Sequence, residues 1–232
     1  MLQIRATNLS IGYNFHPVLR NLNFSIEYGD YVCIIGSNGV GKSTLIKTIL
    51  GLFPPISGKI HYDKNTKLES IGYLQQRLEI ASDFPASVYE VVLSGCLNKL
   101  RWRPFYTKKE KAQADRNMKL LDIEKIRNKS FKELSGGQMQ RVLIARAICA
   151  TNKLIILDEP FVGLDPQGVQ TVKECIIDYS KNKKHMVIFS SHNLDTVCEL
   201  CDKVCVIENG EILAIVDMSE ENSESRLKKL FI

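Results

Sequence analysis

No apolar run in this chain of 232 residues approaches the ~18 residues that a bilayer-spanning helix requires, so the sequence holds no membrane span of its own. Its start, Met1-Leu2-Gln3-Ile4-Arg5, has no basic stretch followed by an apolar one, and no cleaved export leader is expected. There is no internal repeat, no low-complexity tract and no long coiled-coil heptad pattern. No Lys/Arg-rich tract with interleaved aromatics marks a nucleic-acid surface, and no nucleic-acid partner is expected. A paired disulfide framework is also missing: the seven cysteines are odd in number and scattered through apolar runs, as small buried hydrophobes of a reducing compartment would be. Cys198, Cys201 and Cys205 do show a C-x2-C-x3-C spacing. The first two fit a helical stretch and the third a strand, with no fourth ligand nearby, and His16, His61, His185 and His192 do not join them. The reading is structural.

What is present is an ordinary globular composition, 44% apolar and 25% charged, with a net charge of +5 that suits an anionic ligand or a membrane-adjacent position. The length fits one large domain or one with an inserted subdomain. "LQIRATNLSIGY" and "LNFSIEYGD" alternate like half-buried strands. "YVCIIG", "LIILDEP" and "HMVIFSSH" are continuously apolar and end in Gly or polar residues, the pattern of strands covered on both faces. With helices between them they predict a mostly parallel α/β sheet whose ligands bind at the C-terminal strand ends. A helix is expected in "GKSTLIKTILGLF", stopped by Pro54-Pro55. Residues 77–150 read as an inserted helical subdomain, 1–76 with 151–217 as the core with an antiparallel β part, and 218–232 as a short tail. "KVCVIENGEILAIV" reads as a hairpin turning at Asn209-Gly210.

Three stretches carry chemistry. "GSNGVGKST" fits G-x-x-x-x-G-K-[ST] between a predicted strand and a predicted helix, with Gly36, Gly41, Lys42 and Ser43 in place. Glycines let successive backbone amides point at phosphates, Lys42 adds a point charge, and Ser43 offers an oxygen to Mg²⁺. "LIILDEP" sets Asp158 and Glu159 at the end of a buried strand, the first suited to Mg²⁺ and the second to taking a proton from water. "LSGGQ" opens an Ala-rich helical run with Ser135, Gly136, Gly137 and Gln138, a second anion cradle about a hundred residues after the first. His192 at another strand end is a candidate γ-phosphate contact. Tyr13, Gln76 and Asp165 carry little weight alone.

Together these motifs, in this order and over essentially the whole chain, resemble the ATP-binding-cassette (ABC) family. The resemblance implies a P-loop NTPase fold of ABC type, with a mostly parallel RecA-like core sheet, an antiparallel β subdomain and an inserted helical subdomain. It implies ATP and Mg²⁺ as ligands. Tyr13 falls where the family stacks an aromatic on adenine, and Gly36, Ser37, Asn38, Gly39, Val40, Gly41, Lys42, Ser43 and Thr44 match its Walker A loop. Gln76 matches the Q-loop glutamine, with Gln75 where Pro is common, and would join Ser43 and Asp158 at Mg²⁺. Ser135, Gly136, Gly137 and Gln138 match the signature, Asp158 and Glu159 Walker B and the following glutamate, Asp165 the D-loop, and His192 the switch histidine. In the family the signature of one cassette closes over the nucleotide of another, so the second cradle would hold a partner chain's γ-phosphate. A homodimer or a paralogous pair is therefore expected, with Glu159, His192, Lys42 and Gln76 as the catalytic set.

The resemblance also implies docking, at the cytoplasmic face of the membrane, on separate permease chains. "DFPASVYEVVLSG" and "LRWRPFYTKKEK" are similar to the zinc and manganese importer branch, which works with an extracytoplasmic metal-binding protein. Cassettes for iron–siderophore complexes or cobalamin are the alternative, followed by exporter cassettes and soluble ABC ATPases. In such importers the surface that docks on the permease lies here at about Gln76 to Tyr106, and within it Trp102, Phe105 and Tyr106 read equally as exposed for that contact or as core packing.

Overall fold

The computed structural model describes residues 2–63, 71–75, 85–100, 102–151, 153–183 and 185–230. In chain order the elements are β1 (Leu2–Tyr13), β2 (His16–Glu27), β3 (Tyr31–Ile35), α1 (Lys42–Ile49), β4 (Ser57–Tyr62) and β5 (Ile71–Leu74). Helices α2 (Val88–Ser94), α3 (Leu97–Leu100), α4 (Lys108–Leu120) and α5 (Gly136–Ala150) follow. The chain continues through β6 (Leu154–Asp158), α6 (Pro166–Lys183), β7 (Met186–Ser191), α7 (Leu194–Leu200), β8 (Lys203–Glu208), β9 (Glu211–Asp217) and α8 (Ser223–Leu230). Two compact units result: Met1–Leu68 with Lys184–Ile232, and Glu69–Lys183. Compactness thus groups β5, β6 and α6 with the helical segment, whereas the sequence pattern groups both strands with the phosphate loop.

The first unit holds an antiparallel sheet in the order β2-β1-β4. Strand β1 buries Ile4 and Ala6, then Leu9 and Ile11, so its inward phase slips by one residue. The slip falls at Asn8, which has φ 47° where the β1–β2 register breaks between Ala6 and Leu9. Asn21 (φ 50°) does the same for Leu19 and Leu22 on β2. Asn23 Oδ1 accepts the Asn8 amide at 2.9 Å and ties the two irregularities together. The same unit contains β3, with β7 and β8 parallel on either side and β9 antiparallel to β8. Every residue of β3 and of β7 is buried, as their unbroken apolar runs require. The β8–β9 hairpin turns at Asn209 (φ 49°) and Gly210 (φ 83°), the two left-handed positions of a type I′ turn.

Helix α1 ends sooner than its sequence suggests. Gly51 at φ 71° donates to Thr48 O at 3.0 Å and Leu52 to Lys47 O at 2.9 Å, so a Schellman cap stops the helix before Pro54 is reached.

In the second unit β5 pairs parallel with β6, from Ile71 opposite Leu154 to Leu74 opposite Leu157. Helix α5 is the hub: α2, α4 and β5 all pack on it, and it buries Val142, Leu143, Ile144, Ala145, Ala147, Ile148 and Cys149. Gly95 and Gly72 are required here, because a Cβ on either would collide with the α5 carbonyls of Arg146 and Ala147 respectively. Helices α2, α4 and α5 each start on a reciprocal capping box: Ser87 with Glu90, Thr107 with Glu110, Ser135 with Gln138.

All seven cysteines are free. Cys198 lies on α7, Cys201 caps its end and Cys205 lies in β8; no metal-competent cluster of His, Cys, Asp and Glu occurs among the described residues. No described helix is long and apolar enough to cross a membrane.

Glu110 gives the fold a pH dependence. The Arg103 guanidinium bonded to it, followed by the Thr107 amide and hydroxyl, holds its carboxyl down at about 2 against the opposing effect of burial. A carboxyl depressed by folding stabilises fully above its unfolded value, and that contribution is lost as pH falls through the folded one. Glu110→Gln is expected to lower the unfolding midpoint at neutral pH, with the gap to the parent chain narrowing from about pH 4.5 toward pH 2. Denaturation monitored at stepped pH checks this; a gap independent of pH contradicts it.

Candidate functional site

In the first unit the phosphate loop leaves the end of β3. Ile35 is level with Ser191 of β7, so Gly36 and His192 emerge side by side from adjacent parallel strands. The loop then climbs into α1 through Gly39 (φ 82°) and Gly41 (φ 112°), left-handed conformations that a side chain resists. Gly36 is held by proximity instead: a Cβ there would meet Ile207 O at 2.6 Å and Val40 Cγ1 at 2.8 Å. Lys42 is 7% exposed, and its ammonium donates to Gly36 O at 2.8 Å and Ser37 O at 3.1 Å, spanning the loop from the helix start back to its beginning. The amides of the first turn of α1 have no helical acceptor by construction, and the helix dipole is positive there. Ser43 is half-buried in that turn. Ser37, Asn38 and Gly39 are exposed and Val40 half-buried.

Tyr13 closes β1 beside this loop. Its hydroxyl and Thr44 Oγ1 are 3.2 Å apart, its ring meets Phe53 edge-on with centroids 5.5 Å apart, and 46% of the residue is exposed. Next to it lies Phe15, a residue the sequence pattern passes over. It is 90% exposed and sits at φ 64°, an uncommon backbone for an aromatic. His192 is exposed between β7 and α7, where Asn193 caps α7 by accepting from Thr196 N at 3.1 Å.

In the second unit Asp158 ends β6 at 1% exposure and Glu159 follows at 5%. Glu159 has φ 54°, a strained conformation for a residue with a side chain. Gln140 of α5 braces the turn by donating to Glu159 O at 3.3 Å and Pro160 O at 3.2 Å. Its position two residues past the signature was the only sign of it in the sequence. Tyr73 of β5 is a second unforeseen neighbour. Its hydroxyl is buried without a hydrogen-bond partner, and burial, with the Asp158 charge adding to it, pushes its pKa up to about 12.

The signature occupies the start of α5. Ser135 Oγ accepts from Gln138 N at 3.3 Å while Gln138 Oε1 accepts from Ser135 N at 3.2 Å. These two side chains therefore cap the helix, and the amides of Gly136 and Gly137 are left without helical acceptors. Gly137 packs toward the segment after β6, since a Cβ would lie 3.1 Å from Gly163 O. Gly136 differs: a Cβ on it would meet nothing within 4 Å among the described residues. Asp165 accepts the Gly168 amide at 3.1 Å and so caps α6. Gln76 lies outside the described residues.

In the first unit the loop amides and the Lys42 ammonium suit the phosphate oxygens of a nucleotide, and the Ser43 hydroxyl is a hard oxygen donor. In the second unit the Asp158 carboxylate is a donor of the same hard kind, suited to a divalent cation.

A family model described as "ABC transporter" matches residues 19–162. The high-affinity zinc uptake system ATP-binding protein ZnuC of Bacillus subtilis is 33% identical, over 90% of this chain and 92% of its own length. The manganese transport system ATP-binding protein MntB of the same organism is 34% identical over 91% and 86%. The chelated iron transport system membrane protein YfeB of Yersinia pestis is 31% identical over 99% and 79%. Among solved structures, cbiO1 of Clostridium perfringens, part of the ABC transporter complex cbiONQ, superposes with a TM-score of 0.81 at 31% identity, covering 98% of this chain and 93% of that one. With its phosphate loop, Asp-Glu strand end and signature helix in place and this match over most of its length, the chain belongs to the ABC transporter family, as an ATP-binding cassette.

Proposed function

We propose that this chain is the ATP-hydrolysing subunit of an importer for divalent metal ions, zinc or manganese, working as a pair of cassettes against separate permease chains at the cytoplasmic face of a membrane. The cargo reading is supported by the zinc and manganese relatives and by the importer-like segment from Asp83 to Gly95. The chelated-iron relative favours iron chelates as the second reading. In either case the cargo and the extracytoplasmic binding protein meet the permease rather than this chain.

In this reading the loop from Gly36 to Thr44 holds the β- and γ-phosphates of ATP through its amides and Lys42, and Tyr13 stacks on the adenine. Ser43, Asp158 and Gln76 would hold Mg²⁺, which would supply positive charge against the phosphate oxygens. Glu159 takes a proton from the attacking water, and its braced backbone fixes where the carboxylate points. His192 contacts the γ-phosphate from the strand beside the loop.

The observation that carries the paired arrangement is Gly136. Gly136 has neither a positive φ nor a close neighbour that would demand glycine: it is exposed, and among the described residues nothing lies within 4 Å of where a Cβ would stand. A group from outside the chain explains it. Gly136 and Gly137 amides, with Ser135 and Gln138 shaping the helix start, would hold the γ-phosphate of a nucleotide on a second cassette, and Asp165 would face that partner. ATP then bridges both copies only when they are closed, which is what makes it a switch.

Glu159→Gln is expected to retain ATP binding and lose turnover on the order of 10²–10⁴-fold, the usual share of general-base catalysis. Steady-state phosphate release against nucleotide titration checks this; normal turnover removes Glu159 from the role. In the native cell the same substitution is expected to lower zinc or manganese selectively, read by elemental mass spectrometry. Unchanged zinc and manganese, with iron falling when a chelate is the iron source, would move the cargo to the second reading.

A further inference from the structure

Trp102 is 99% exposed and Phe105 80%, the first standing free in the loop between α3 and α4 and the second three residues on. The described part of the loop that presents them is tied down by hydrogen bonds. Arg103 donates to Lys99 O at 2.8 Å and to Glu110 Oε1 at 2.7 Å, and Glu110 Oε2 accepts the Thr107 amide at 2.7 Å. Glu110 is only 6% exposed, so an almost buried carboxylate serves to keep two large aromatics in solvent. Core packing, one of the two readings of these aromatics in the sequence, is excluded for Trp102 and Phe105; Tyr106 is half-buried.

Charge tells what they face. Lys108, Lys109 and Lys111 are exposed, and the acid nearest to them in sequence, Glu110, is taken up by Arg103. Lys108 and Lys109 occupy the first turn of α4, where the positive end of the helix dipole disfavours cations, so helix stability does not account for them. Trp beside Phe with a fringe of lysines is the chemistry of a membrane interface, rings at the headgroup level and ammonium groups among anionic headgroups. A protein partner fits less well. Lysine is depleted from protein interfaces, and the cytoplasmic loops of membrane proteins are themselves rich in Lys and Arg.

We propose that the segment Trp102–Lys111 is a lipid-contacting edge, resting on an anionic bilayer surface while the cassette works on its permease. This rests on the reading of the chain as a transporter subunit, because only then is a bilayer within reach. The edge would fix the tilt of the helical segment against the membrane, and it would make association depend on anionic lipid and on salt.

The sole tryptophan of the chain is the one at issue, so its emission reports the contact directly. The purified chain is mixed with vesicles of phosphatidylcholine alone, or of phosphatidylcholine and phosphatidylglycerol in equal parts. A blue shift of Trp102 emission with co-sedimentation, confined to the anionic vesicles and reversed by salt, is expected. Replacing Lys108, Lys109 and Lys111 together by Ala should weaken that binding about 100-fold, from the contribution of each lysine at an anionic surface, with basal ATP hydrolysis unchanged. Trp102→Ala with Phe105→Ala should abolish co-sedimentation in the same way, with folding checked by circular dichroism. Emission unmoved by anionic vesicles, or moved equally by neutral ones, overturns the proposal. So does a shift that needs reconstituted permease and is indifferent to lipid charge, which would assign the edge to protein. The transporter reading itself is judged separately, by cellular metal content, and survives any of these failures.

Discussion

Strand β3 is held by parallel partners on both sides and is buried along its whole length, so the point at which it ends is fixed. The phosphate loop depends on that. A loop that binds phosphate through backbone amides has no long side chains with which to adjust, and its precision must come from what anchors its two ends. One end is the buried strand; the other is α1, entered through the left-handed Gly41 and packed through Leu45, Ile46 and Ile49. Lys42 closes the span by bonding both carbonyls at the loop's start. His192 inherits the same precision, because its strand runs in register with β3.

The second unit solves a comparable problem with a helix. α5 begins at the signature, carries Gln140 one turn on, and braces with it the backbone of Glu159 and Pro160. The residue proposed to activate water and the residues proposed to meet a second copy are therefore coupled through one short rigid element. Only helical backbone separates the signature at the start of α5 from Gln140 and its bonds to the Glu159 turn. This gives a physical route by which pairing of two cassettes would prepare hydrolysis, and it needs no residue beyond those already bonded.

Much of this was legible in the sequence, for identifiable reasons. A phosphate loop announces itself because glycine is obligatory at left-handed and crowded positions, and Gly36, Gly39 and Gly41 occupy such positions. Continuously apolar strands and the Asn-Gly hairpin are likewise local properties. What escaped the sequence was set by tertiary contact or by competing local signals. Pro54-Pro55 marks the end of α1 in the sequence, although a Schellman cap at Gly51 acts first. The bulges at Asn8 and Asn21 carry no pattern until the strands are paired. Gln140 and Tyr73 look like ordinary helix and strand residues, and only folding brings them to the Asp158-Glu159 turn. The helix-capping bonds of Ser135, Gln138 and Asp165, residues that match ligand-binding positions in the family, also became visible only in the folded chain.

In the proposed function the nucleotide is shared: the phosphate loop of one copy and the signature of another act on the same ATP. Mixed dimers test it most directly. A Lys42→Ala chain lacks a working loop but keeps its signature, and a Ser135→Arg chain lacks a working signature but keeps its loop. Labelled ATP co-eluting with dimer in gel filtration is measured for each chain alone and for the mixture, with Glu159→Gln in both to prevent turnover. Retention by the mixture and by neither chain alone is expected, because only the mixture assembles one intact loop against one intact signature. No retention by the mixture, or full retention by the Ser135→Arg chain alone, would contradict it and return the signature to a role within its own chain.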